Sequence, residues 1–61
     1  MNVENFGSNG ILYRFLNGTW LIRKDKDTKF YNLYYWSDLT NSWYSAGVGD
    51  YSLKKVESFF K

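Results

Sequence analysis

The sequence predicts an α+β fold: an antiparallel meander sheet of three to four strands with one C-terminal helix packed on one face. Three observations carry this. Asn17-Gly18 separates two apolar runs, a strong hairpin signal because tight hairpin turns favour residues that tolerate positive φ. Lys29 to Trp36 is a run of aromatic strand formers between two polar clusters. Leu53, Val56, Phe59 and Phe60 recur at the spacing that lines one side of a helix.

Taken in order, Met1 to Gly10 is rich in Asn, Gly and Ser and reads as a flexible N-terminal tail, which leaves residues 11–61 as the single domain. Ile11 to Leu16 is the first strand and Thr19 to Lys24 the second. The polar turn Asp25-Lys26-Asp27-Thr28 leads into the third, Lys29 to Trp36. Ser37 to Asn41 is a further turn, and Ser42 to Gly47 a short fourth strand. Gly47 and Gly49 then free the backbone to leave the sheet. Ser52 is the expected N-cap, with Asp50 its rival. A nine- or ten-residue helix is marginal alone in water, so it must dock on the sheet.

Turn lengths set a register, and the register sorts side chains between faces. A two-residue turn at Asn17-Gly18 sets Phe15 opposite Trp20 and Tyr13 opposite Ile22. A four-residue turn at 25–28 sets Ile22 opposite Tyr31, and the last connection sets Tyr35 opposite Tyr44. One face then carries Ile11, Tyr13, Phe15, Trp20, Ile22, Tyr31, Leu33, Tyr35, Tyr44 and Ala46, with Lys24 and Lys29 at its rim. This face is expected to meet the helix. The other carries Leu12, Arg14, Leu16, Thr19, Leu21, Arg23, Phe30, Asn32, Tyr34, Trp36, Trp43 and Ser45, with no second helix to cover it. A bare sheet surface of that apolar area is expected to bind something.

Composition narrows the chemistry. A chain of 61 residues buries roughly 60% of its unfolded surface, so its core is small. With no Cys and no His, disulfides and the usual structural zinc sites are excluded, and no metal or other cofactor is expected. Five Phe, six Tyr and three Trp exceed what one face of a small sheet needs, which points to exposed aromatic rings. The formal net charge of +2 permits contact with phosphates without demanding it. No apolar run is long enough to span a membrane, and the N-terminus has no signal-peptide core, so a soluble cytoplasmic protein is expected. Abundant Asn, Lys, Tyr and Phe without Pro fit an AT-rich genome of the kind that carries small phage genes.

Catalysis is not expected. Asp25 and Asp27 share a turn and read as turn formers, and Gly47-Val48-Gly49 lacks the further glycine and the lysine of a phosphate-binding loop. The cationic residues are more informative. Arg23, Lys24, Lys26 and Lys29 gather about the second turn, while Lys54 and Lys55 open the helix, where a phosphate would offset their conflict with the helix dipole.

The run Phe30 to Phe60, with Gly47, Gly49, Ser52, Lys54 and Lys55, resembles the C-terminal half of a double-stranded-RNA-binding domain, in which a strand leads through a glycine turn into a helix opened by lysines that touch phosphates. The resemblance covers about half of the chain and lacks that family's first helix. The same sheet-then-helix order is similar to the AP2 and integrase arm-binding domains, which read DNA with an open sheet face. These resemblances imply a nucleic-acid-binding module. Arg14 and Arg23 would meet phosphate or base edges, Tyr34, Trp36 and Trp43 would stack on bases, and Lys24, Lys26, Lys29, Lys54 and Lys55 would supply salt-dependent attraction. Two alternatives use the same face: a hot-spot patch that modulates a host protein, or a homodimer interface.

Overall fold

The computed structural model describes all residues from Met1 to Lys61. Five antiparallel strands form one open sheet in chain order: β1 (Asn2–Asn5), β2 (Gly10–Phe15), β3 (Gly18–Lys24), β4 (Tyr31–Ser37) and β5 (Ser42–Asp50). A single short helix, α1 (Leu53–Glu57), packs against it. The fold class is as expected, with one strand more.

That strand corrects the reading of residues 1–10 as a flexible tail. Asn2 to Asn5 pair with Arg14 to Ile11 as β1, and Phe6 to Asn9 close a hairpin. The Phe6 N–H donates to the Gly10 carbonyl at 2.9 Å. Gly10 is required at this closure, because a Cβ there would overlap the Phe6 carbonyl oxygen.

The β2–β3 turn also differs from expectation. Phe15 pairs with Gly18, so Leu16 and Asn17 form the turn, and neither Asn17 nor Gly18 takes a positive φ. The reason lies in the strands. This register sets Ile11 against Ile22 and Tyr13 against Trp20, whereas a turn centred on Asn17-Gly18 would set Ile11 against Lys24. Cross-strand apolar pairing outweighs the local turn preference. At the next turn Lys24 pairs with Tyr31, two positions from the expected register. Both shifts are even, so the strand side chains keep their predicted faces, while Leu16 passes from the strand into the turn and is exposed. The β4–β5 register is the predicted one, with Tyr35 opposite Tyr44 and Trp36 opposite Trp43.

Asp25 explains the longer second turn. Its carboxylate accepts from the N–H groups of Asp27 (2.8 Å) and Thr28 (3.1 Å), while its own N–H donates to the Phe30 carbonyl. The Thr28 and Asp27 N–H groups hold the Asp25 carboxyl below its ordinary range. Stability from this group is present above the unfolded value near ~3.9 and is lost as pH falls through the depressed folded value. The turn forces Lys29 to φ 64°, a conformation costly for a residue with a Cβ. Lys29→Asn is expected to raise stability by about 1 kcal/mol, read from the urea midpoint.

Gly47 and Gly49 do not end the sheet. β5 runs on to Asp50 through a bulge opposite Leu33, where Gly47 takes φ 72°. A Cβ on Gly49 would overlap the Phe30 ring. Asp50 accepts from the Ser52 N–H at 2.8 Å and Ser52 caps the helix, so the two rivals for the N-cap act together.

The core lies between the helix and one sheet face: Tyr13, Ile22, Leu33 and Val56 are each at most 1% exposed. Phe60 completes it, stacked on Trp20 at 5.4 Å and edge-on to Tyr13 at 4.9 Å. The Tyr13 hydroxyl donates to Glu57 Oε2 at 2.6 Å, and Lys61 pairs with the same oxygen at 3.6 Å. Phe59, expected on the apolar side, is exposed. The regular helix is only five residues long, so its last turn swings Phe59 outward while Phe60 turns in.

Candidate binding face

The opposite sheet face is not flat. Phe6 follows β1 at one edge, yet its ring lies 6.1 Å from that of Trp43 on β5 at the other edge. A flat five-stranded sheet would separate its edge strands by roughly 19 Å. The sheet therefore curls toward this side as an incompletely closed barrel. Curling buries Leu12 (5% exposed) and Leu21 (3%) without any covering helix. The expected bare surface is corrected to a concave face with a small apolar floor.

Trp36 and Trp43 meet edge to face at 5.2 Å, and the Trp36 indole N–H donates to Asp38 Oδ1 at 2.9 Å. Both indoles are half-buried, as is Tyr34. Phe6 divides the concavity into two grooves. One, of about 220 Å³, is lined by Phe6, Leu12, Arg14, Thr19, Trp36 and Trp43. The other, of about 180 Å³, is lined by Phe6, Leu21, Arg23, Tyr34 and Trp43. Aromatic edges over an apolar floor can accept a planar ring.

The cations divide into groups with different surroundings. Arg14 and Arg23 both lie on the concave face, but Arg14 Nε is paired with Glu4 Oε2 at 2.7 Å. Glu4 reaches it because the unexpected β1 lies directly beside β2. Arg23 forms no ion pair and is the free cation of this face. Lys26 and Lys29 are exposed on the β3–β4 turn, and Lys24 Nζ sits 5.7 Å from the Tyr31 ring centre on the helix side. Lys54 and Lys55 are exposed on α1, across the sheet from Trp36 and Trp43. The helix lysines, lying on the face opposite the concave-face aromatics as the register implies, are therefore placed apart from Trp36 and Trp43. With only five helical residues, the argument from an opposing helix dipole lapses.

The residue missed by sequence reasoning is Phe6, which was placed in the tail. Its signal was present as an isolated aromatic ahead of Gly7-Ser8-Asn9-Gly10, a hairpin loop composition. A second departure is on the helix side. Tyr35 and Tyr44, stacked at 5.8 Å, remain 40% and 41% exposed because α1 is too short to cover them. No group of three or more carboxylates is placed to hold a metal ion, and no helix is long and apolar enough to cross a membrane. The chain matches no protein-family model, and no curated protein or solved structure matches it significantly.

Proposed function

We propose that the chain is a binding module for single-stranded nucleic acid, which it takes along the concave face. The observation that carries this reading is the grouping of Phe6, Tyr34, Trp36 and Trp43 around two ring-sized grooves with the unpaired Arg23 beside them. Bases stack on aromatic rings regardless of sequence, at about 1–3 kcal/mol each, and a few cations suffice for a flexible strand. A duplex hides its bases and depends on many phosphate contacts, which a face with one free arginine does not offer. The exposed Lys26 and Lys29 extend the positive potential beyond Arg23.

Tryptophan fluorescence tests this directly. Oligothymidylate or oligouridylate of about ten nucleotides, a span that small sheet modules cover, is expected to quench emission saturably at low salt. The same length of duplex is expected to quench it less. Affinity should fall with salt at a log–log slope of about −2, the value for three neutralised phosphates. Trp36→Ala should weaken binding by about 5- to 150-fold. No quenching at low salt by any single strand would sink the proposal.

One observation favours a second reading, a protein partner. The Arg14–Glu4 pair leaves much of the concave face neutral, and Trp, Tyr and Arg are the residues that dominate protein hot spots. Binding of that kind would leave the fluorescence indifferent to oligonucleotides.

A further inference from the structure

The hairpin loop between β1 and β2 and the side chain of Arg23 enclose a polar concavity of about 380 Å³ at one end of the concave face. Its lining is Phe6, Gly7, Ser8, Asn9 and Arg23, with no carboxylate among them. The loop is fastened at both ends. The Phe6 N–H donates to the Gly10 carbonyl, and the Lys24 N–H donates to the Asn9 carbonyl at 2.8 Å. Those bonds leave the N–H groups of Gly7, Ser8 and Asn9 without a partner in the protein. The guanidinium of Arg23 forms no ion pair with any residue of the chain. Gly7 holds φ 70°, and a left-handed residue in a tight loop is the geometry that turns successive N–H groups toward one side. Fixed backbone donors, a hydroxyl, a carboxamide and a free guanidinium make a site for a tetrahedral oxyanion.

Phe6 and Arg23 also line the neighbouring groove with Leu21, Tyr34 and Trp43. We propose that the loop pocket binds a phosphate group and that this groove takes the base of the same nucleotide. The phosphate half stands on the loop geometry; the base half rests on the single-strand reading above. Arg23 is the hinge between them, able to reach the phosphate from beside the base.

The test follows amide resonances of the full chain during separate titrations with inorganic phosphate, thymidine, thymidine monophosphate and oligothymidylate. The Gly7, Ser8 and Asn9 amides are expected to shift with every phosphate-bearing probe and to stay still with thymidine. Thymidine monophosphate should bind more tightly than inorganic phosphate, because it fills both halves. Arg23→Gln should weaken the phosphate-bearing probes about ten-fold or more, since charge-assisted bonds to phosphate are lost. Arg23 is exposed, so the urea midpoint of that variant should not move. Tighter binding of oligothymidylate than of the mononucleotide assigns the phosphate to a strand; equal binding assigns it to a free nucleotide. Loop amides that remain still with all phosphate-bearing probes overturn the pocket, even where oligothymidylate shifts the Trp36 and Trp43 indole signals and the single-strand reading stands. Loop shifts with inorganic phosphate while oligothymidylate leaves those indoles unmoved support the pocket and remove the strand reading.

Discussion

Tyr13→Ala is expected to remove roughly half or more of the folding stability, read as a large fall in the urea midpoint. Tyr13 is 1% exposed, lies beneath Phe60 and packs with Ile22, Leu33 and Val56. Truncating a buried aromatic costs about 3–5 kcal/mol. A domain of this length has only about 3–9 kcal/mol to lose. Tyr13→Phe keeps the ring and removes only the bond to Glu57. Hydrogen bonds to charged groups contribute about 1.5–3 kcal/mol, so a clear fall in the urea midpoint with retained secondary structure is the expected outcome. The pH dependence gives an independent check. Burial, then the hydrogen bond to Glu57, then the Glu57 charge push the Tyr13 phenol well above the usual tyrosine range. Because the folded value is raised, the native state holds the proton more tightly. Its contribution is therefore complete below about pH 10 and is lost as pH rises above it. Tyr13→Phe should lose stability less steeply above that pH; equal slopes for the two proteins would show that the bond matters little.

Gly10→Ala should act more locally and yet alter the concave face most. The added Cβ meets the Phe6 carbonyl oxygen and comes within 3.2 Å of the Phe6 Cβ, backbone and near-backbone atoms that cannot rotate away. Overpacking of this kind costs about 1–3 kcal/mol. The relief available is to open the β1–β2 hairpin, which draws Phe6 off Trp43 and exposes Leu12 and Leu21. Amide exchange should lose protection in Asn2 to Asn5 while β3 and β4 keep theirs, and tryptophan emission should shift to the red. Gly18→Ala is the matching control. A Cβ there meets nothing within 4 Å and φ is not positive, so stability should hold or rise slightly. Loss of β1 protection in both variants would mean that the hairpin is labile for another reason.

The sequence made the sorting of side chains legible because a strand alternates with period two. Two turn positions were displaced, but each displacement was even, so Tyr13, Ile22 and Leu33 stayed with the helix and Trp36 and Trp43 stayed opposite it. Ser52 was legible as a cap because the chemistry is local. β1 was not legible, since Asn2, Glu4 and Asn5 have weak strand preference and gain their place through pairing with β2. The extension of β5 was hidden because glycine signals a break and a bulge equally well. The curl of the sheet was beyond reach for a different reason. It is expressed only in the meeting of Phe6 and Trp43, distant in sequence and on opposite edges. The candidate site shared that fate in part: the register alone put Tyr34, Trp36 and Trp43 on one face with the helix opposite, while the approach of Phe6 and the pairing of Arg14 with Glu4 depended on tertiary structure.

The bond between Tyr13 and Glu57 spans 44 positions in a chain whose strands otherwise pair only with their neighbours. Neighbour pairing keeps contact order low, so the hairpins can assemble quickly and in any sequence. The core cannot close until Val56 and Phe60 dock on Tyr13, Ile22 and Leu33. Changes at Val56 or Glu57 should accelerate unfolding far more than they slow refolding, the kinetic mark of an element that docks after the barrier.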